Sequence, residues 1–270
     1  MASFNPVTAL TRGLEVLRIV NALGEASAAE VTRRAKLPRP TVIRMLETLE
    51  EVGYVTRRSD SARYMPTGRV LLLSSGYVAH QRIGEVAEPV LAELREKLGW
   101  PSSIAIPDGS SMLVAYSSRS FESVLINARS GTRAPLLGSA LGRAYIAFCP
   151  DDERERLLDM LRAAQPGPFD KALLDNPRAL ATMLKTTREE GYAMPDPAYT
   201  RSVYNNAGAG FAVPVVSAGR TIGSINIVFF ASALSLDEAI AAFLPEMLAA
   251  ARRVGERLAT EQGVATPVAR

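Results

Sequence analysis

Histidine and cysteine are nearly absent: the 270 residues hold one of each, His80 and Cys149. A lone cysteine excludes an intrachain disulfide and a cysteine-rich zinc cluster, and a lone histidine argues against an ordinary His-rich metal site. The same scarcity limits nucleophilic catalysis. A Ser-His-Asp or Cys-His arrangement has a single candidate base, and His80 has no Ser or Asp partner motif beside it. There is no G-x-S-x-G elbow and no Walker lysine, so no cofactor and no metal are expected. Long apolar runs are also missing, since none reaches the roughly 18 residues of a membrane helix. The opening MASFNPVTALTRG lacks the charged-then-apolar layout of a signal peptide. A cytoplasmic protein without membrane contact is the expectation.

What is present is the composition of a folded chain. Hydrophobic residues make up 47% and the mean hydropathy is +0.06, ordinary for globular proteins. A length of 270 residues exceeds what one core usually organises, so two domains are expected. Charge is uneven along the chain. Residues 1–84 hold 12 Lys and Arg against 7 Asp and Glu, whereas the remainder holds 19 against 21. A basic first third on a near-neutral body suits a polyanion-binding head, although a few charges can also fall unevenly by chance.

Within that third, Leu10, Leu14, Leu17 and Val20 predict one apolar helical stripe. Gly24 and Glu25 interrupt it. Ser27-Ala28-Ala29-Glu30 then reads as a capping box, in which each end of the motif satisfies an orphan N–H of a new helix. Leu37-Pro38-Arg39-Pro40 stops that helix, and Pro40 suits the first turn of the next, where a missing donor costs little. The third helix, residues 40–52, should bury Val42, Leu46, Leu49 and Val52. It would present Thr41, Arg44, Thr48 and Glu51 outward, with Arg39 at its mouth and Gly53 as a left-handed stop. Residues 54–58 and 62–65 read as two strands around Ser59-Asp60-Ser61, a wing with Arg57, Arg58 and Arg63 at its tip. Two helices across a short turn followed by a basic wing form the layout of a major-groove reader. The alternative is an interaction module whose arginines are merely solvated.

These segments resemble a known family. LTRGLEVLRIV (residues 10–20), LPRPTVIRMLETLEEVGYV (37–55) and RYMPTGRVLLL (63–73) are similar to the DNA-binding domain of IclR-type regulators, with Met45 where a leucine is usual. The resemblance implies that Arg39, Pro40, Thr41 and Arg44 approach the bases, while Arg57, Arg58 and Arg63 meet the backbone of operator DNA.

Residues 67–83 read as a linker helix with His80 near its end, and Gly84 as a hinge before a further amphipathic helix at 88–99. The period then changes. Residues 103–107, 112–117 and 123–129 read as three short strands, followed by helices at 139–148, 151–163 and 176–190. Asn176, Pro177 and Gly191 cap the last of these. Strands at 210–217 and 221–230 and a closing helix at 236–258 complete an α+β domain with a mixed or antiparallel sheet. Gly138 to Arg143 would place backbone N–H groups at a helix start, favourable to a carboxylate but equally explained as a plain capped helix.

Here too there is a resemblance. LLGSALGRAYIAFCP (136–150) and GFAVPVVSAGRTIGSINIVF (210–229) are similar to the effector domain of the IclR family. Trp100-Pro101, residues 147–150 and Ala231-Ser232-Ala233 look most like its 3-(3-hydroxyphenyl)propionate catabolism branch. The resemblance implies a GAF-like effector domain and a carboxylate effector held by Ser139, Ala140, Leu141 and Gly142, with Asn226 and Val228 on a strand. It also implies Asp196 or Tyr199 from the preceding loop, and Gly210 where a side chain is often found. Apolar Met112, Leu125 and Phe211 would suit an aromatic ring. The domains expected are a winged helix-turn-helix at residues 1–68, a linker helix at 69–84, an effector domain at 85–262 and a flexible tail at 263–270.

The leading reading is a non-enzymatic regulator of catabolic genes that binds double-stranded operator DNA. It would act as a homodimer, or a tetramer on DNA, and meet RNA polymerase if it activates. The competing reading is a hydrolase-like enzyme domain fused to a DNA-binding head, for which Cys149 and His80 are the candidates of their kinds.

Overall fold

The computed structural model describes residues 5–74, 76, 78–118, 130–205 and 207–264, without the side chains of 78–80 and 261–264. They fall into two compact units, Met1–Val78 and Ala79–Arg270.

Helix ends organise the first unit. α1 spans Thr8–Leu23, and a two-residue strand β1 (Ala26–Ser27) leads into α2 (Ala28–Ala35). The capping box forms as expected: the Glu30 carboxylate accepts the Ser27 N–H at 2.7 Å, and the Ser27 hydroxyl accepts the Glu30 N–H at 3.3 Å. Lys36 ends α2 in a left-handed conformation, and α3 runs Arg39–Glu51 with Pro40 in its first turn. Past its end, Gly53 at φ +78° donates to Glu50 O and Tyr54 donates to Leu49 O, the paired bonds of a Schellman stop. β2 (Val55–Arg57) and β3 (Arg63–Pro66) form the wing, and β1 pairs with β3 on its other edge. Val16, Val20, Val31, Val42 and Leu46 close the small core.

Four expectations are corrected in this unit, the first being Val52, expected inward at the end of α3 but 44% exposed. Leu10 and Leu14 are exposed, at 62% and 55%, because α1 turns Val16, Leu17, Ile19 and Val20 inward instead. The core is short and covers only the C-terminal half of α1. Arg63 is not at the wing tip: it begins β3 opposite Ser27 and ion-pairs with Glu25 and Glu30. Finally, the stretch read as one linker helix starts as a 3-10 helix, Gly68–Leu73, with Leu71, Leu72 and Leu73 exposed.

The second unit opens with α4, Val78–Leu98, which continues through Gly84 instead of bending there. Gly84 has a packing reason, since a Cβ would come 3.2 Å from the Ala115 carbonyl oxygen. The strands expected at 103–107 and 112–117 are β4 (Ser102–Asp108) and β5 (Ser111–Ser117). The strand expected at 123–129, with Leu125, lies outside the described residues. An edge strand β6 (Arg133–Pro135) pairs with β5. β7 (Gly208–Ser217) and β8 (Arg220–Phe230) complete a five-stranded sheet of order β6-β5-β4-β8-β7, antiparallel at every pairing.

Alternation along the strands fills two layers. Phe211, Val213, Val215, Ile225, Ile227 and Phe229 pack with α4 and the closing helix α10 (Leu236–Val264), whereas Ala105, Met112, Val114 and Ala212 face the opposite cluster. That second face carries α5 (Ala140–Phe148), α6 (Asp151–Ala163) and α8 (Pro177–Glu190), near their expected places. Two short helices had no counterpart in the sequence reading: α7 (Pro168–Leu174) and α9 (Pro197–Tyr204). Residues 265–270 of the expected tail lie outside the described residues. Among the described residues no helix is long and apolar enough to cross a membrane, and no group of His, Cys, Asp and Glu could hold a metal ion.

Two predictions follow from these contacts. Hydrogen bonds from the Ser27 backbone and hydroxyl, aided by Arg63, hold the Glu30 carboxyl at about 2, below its ordinary 4.5. A depressed folded-state pKa means the stabilisation is complete above pH 4.5 and is lost as pH falls through about 2. Amide protection of α2 should therefore decline over that window in the natural protein, and Glu30→Gln should remove the dependence. Second, a Cβ at Gly142 would overlap the Leu136 carbonyl oxygen. Gly142→Ala should destabilise the second unit by about 1–3 kcal/mol in denaturant titration.

Candidate functional site

The exposed face of α3 presents Arg39 and Arg44, with Thr41 half-buried between them. No described residue holds either guanidinium in an ion pair or hydrogen bond. Both cations are thus available to an external acceptor. Arg33, Arg34 and Lys36, also exposed, add positive charge at the end of α2, a contribution the sequence reading missed. Pro40 is exposed in the first turn of α3. On the wing, the Arg57 guanidinium stands 5.9 Å over the Tyr64 ring, and Arg58 makes a two-bond pair with Asp60 at 2.8 and 2.6 Å. Arg63 is the member that geometry separates from the rest, being engaged with two glutamates behind the wing.

In the second unit a cavity of about 360 Å³ lies between the start of α5, strands β7 and β8, and α9. Seven of the expected residues line it: Ser139, Ala140, Leu141, Tyr199, Gly210, Asn226 and Val228. Gly210 has a backbone reason, because a Cβ there would overlap the Ile227 carbonyl oxygen across the strand pair. Gly142 and Met112 do not line the cavity. Gly142 is pressed against Leu136, and Met112 is fully buried in the α5 cluster. Asp196 also stands outside the lining: it caps α9 through Ala198 N–H at 2.8 Å and Tyr199 N–H at 3.3 Å. Phe211 borders the cavity only through its place on β7, because its fully buried ring packs in the layer with α4 and α10 against Tyr192. Tyr204, Ser202, Val203 and Pro195 also line the cavity. They escaped the sequence reading because the proline-rich loop hid α9, where only the Asp-Pro cap signal was visible.

The polar groups at the helix start are largely committed. Ser139 Oγ donates to Pro135 O at 2.7 Å and accepts the Gly142 N–H at 3.0 Å, while Ser139 N–H also reaches Pro135 O. The N–H groups of Ala140 and Leu141 are different. A first turn leaves them without intrahelical acceptors, and no described residue accepts from them. Across the cavity, Asn226 accepts the Ser103 N–H through Oδ1 at 3.2 Å, and its amide NH2 donates to none of the described residues. Burial pushes the Tyr199 phenol up to about 12, with the Asp170 charge adding to it, and raises Tyr204 as well. Both are therefore neutral hydroxyls near pH 7. Among the described residues no acidic side chain lines the cavity, and the one cation that does, Arg133, turns away to Asp108 and Ser111.

Below the helix start lies a buried charged network. Asp170 of α7 accepts the Leu137 and Gly138 N–H groups at 2.6 and 3.1 Å, and burial still raises its pKa. Arg143 donates to Leu137 O, Met194 O and Asp196 Oδ2. Burial lowers its pKa against the opposing pull of Asp196 and Asp170. Cys149 is no nucleophile: it is buried, donates to Ile146 O at 3.5 Å, and burial pushes its thiol up to about 11. The His80 side chain lies outside the described residues.

Similarity to known proteins agrees with this division. Residues 9–59 match the IclR helix-turn-helix domain, and residues 75–256 match the C-terminal domain of the bacterial transcriptional regulator IclR. The Pca regulon regulatory protein of Pseudomonas putida is 26% identical over 255 residues, 93% of this chain and 84% of its own length. A solved Rhodococcus sp. RHA1 protein is 29% identical, with 95% of this chain and all of that one covered and a TM-score of 0.64. An IclR homologue of Microbacterium hydrocarbonoxydans, solved in complex with 4-hydroxybenzoate, shares the fold. Its identity is 24% and its TM-score 0.65, over 92% of this chain and 98% of its own. The chain therefore belongs to the IclR family of bacterial transcriptional regulators, with a DNA-binding helix-turn-helix domain and an effector domain, and is not an enzyme.

Proposed function

We propose that this regulator controls catabolic genes in the cytoplasm in response to a small aromatic carboxylate bound beside α5. The observation that carries this reading is that Ala140 and Leu141, whose N–H groups have no acceptor among the described residues, line a cavity that also holds the Asn226 amide. Donors at a helix start favour an anion through their hydrogen bonds and the helix dipole. The remainder of the described wall is mostly apolar, with Val114, Ala134, Pro135 and Val228 suited to a ring, and the Tyr199 and Tyr204 hydroxyls can meet a polar substituent. The volume of about 360 Å³ is at the small end of ligand sites, appropriate to one ring and a short acid.

The head, residues 1–68, reads operator DNA through Arg39, Thr41 and Arg44, with Arg57 and Arg58 on the backbone and the effector domain at residues 85–262. A homodimer on a palindromic site, or a tetramer on paired sites, multiplies the few base pairs that one helix reads. Contact with RNA polymerase follows if the protein activates. Effector binding then shifts the population between states of different operator affinity.

Titration calorimetry with benzoate, 4-hydroxybenzoate, 3-(3-hydroxyphenyl)propionate and glyoxylate should give binding of one or more of the aromatic acids. Asn226→Leu should weaken that binding about tenfold. Binding of glyoxylate alone, or of no acid, refutes the reading. For the head, Arg44→Ala should lose about 1–3 kcal/mol on operator DNA relative to random DNA if it contacts a base. An equal loss on both would reassign Arg44 to a phosphate.

A further inference from the structure

No residue of α9 is fully buried, Tyr199 and Tyr204 being half-buried, yet Tyr199, Ser202, Val203 and Tyr204 make it one wall of the cavity. Eight residues are too few for a helix to be stable alone, so its position depends on what anchors it. One anchor is the edge-to-face contact of Tyr199 with Phe169, ring centroids 5.4 Å apart. The others are polar and converge on Asp196: its N–H donates to Gly138 O at 2.8 Å, and its two carboxylate oxygens have separate partners. Oδ1 accepts the Ala198 and Tyr199 N–H groups and caps the helix. Oδ2 accepts from Arg143, 3.2 Å away, on α5.

Arg143 reaches further than this one bond. Its Nε donates to Leu137 O at 2.5 Å and another nitrogen to Met194 O at 3.2 Å. The planar guanidinium thus joins three pieces of chain: the segment entering α5, the loop entering α9, and the cap of α9 itself. Its side chain is 11% exposed and that of Asp196 is 23% exposed, so the pair is shielded from the screening that weakens surface ion pairs. Neither residue lines the cavity. A lysine could not replace the fork, because one ammonium cannot meet three acceptors in those directions.

We propose that Arg143 and Asp196 are positioning residues for the effector cavity: their bridge holds α9, and with it Tyr199 and Tyr204, against the start of α5. The role assigned to the bridge rests on reading the cavity as the effector site, whereas the anchoring of α9 does not. Asp196→Asn isolates the bridge, since Asn keeps the capping oxygen and turns an amide donor toward the guanidinium. Arg143→Lys tests the same bridge from the other side.

Hydrogen exchange on the full chain, without any ligand, should show the amides at the C-terminal end of α9 exchanging about tenfold faster in both variants. Those of β7 and β8 should be unchanged. Calorimetry with 4-hydroxybenzoate should show affinity falling by a similar factor. Unchanged exchange in α9 overturns the proposal, and so does loosening spread equally over the whole domain. A loosened α9 with undiminished acid affinity overturns the positioning role. No heat from 4-hydroxybenzoate or any other acid of the panel with the natural protein refutes the effector reading instead, while the exchange result still decides whether the bridge anchors α9.

Discussion

Much of the effector domain depends on how closely α5 begins against the strand that precedes it. No methyl group fits between Gly142 and the Leu136 carbonyl, so the chain turns from β6 into α5 with backbone almost touching backbone. Every strong hydrogen bond nearby serves that turn. Ser139 clasps Pro135, Asp170 holds the Leu137 and Gly138 N–H groups, and Ser224 of β8 donates to Leu141 O at 2.7 Å. Buried polar groups are costly unless paired, and here each partner also fixes where the helix starts. The N–H groups of Ala140 and Leu141 have no acceptor among the described residues because they belong to the first turn of α5.

Burial gives these polar groups their consequence. Asp170 and Arg143 are both held where water is scarce, and their pKa values move in the directions that desolvation dictates. Both bond the backbone of Leu137, and Arg143 is paired with Asp196, so removing either member of that pair leaves the other with an unmet charge. The head follows a different logic. Its cations sit on the exposed face of α3 and at the end of α2, where screening is strong and the natural partner is a polyanion.

Local rules were legible wherever the chain's own neighbours decide the outcome. The Ser27–Glu30 box, the Pro38 and Pro40 punctuation, the Gly53 stop and the Asn176-Pro177 start all formed where the residue types placed them. Apolar periodicity was less reliable. Leu10 and Leu14 continue the stripe of α1 in register, yet the small core reaches only Val16 to Val20. Gly84 looked like a hinge because glycine weakens helices, but β5 lies so near that a small residue is needed within a continuous α4. The resemblance carried the cavity further than spacing could, bringing seven of its expected residues together and missing α9, whose wall is made of tyrosines in a loop-like stretch.

By itself, then, the sequence determined most of the helices and strands, their caps and stops, and the basic charge of the first third. Caps, breakers and periodicity act over a few residues and need no knowledge of the fold. The tertiary structure alone decided which charges are available and which are already paired. Arg63 could be withdrawn to Glu25 and Glu30 only once β3 lay beside β1. Arg143 of α5 could meet Asp196, 53 positions along the chain, only once two loops converged. Pairings at that separation depend on packing, and no local pattern of residues specifies them.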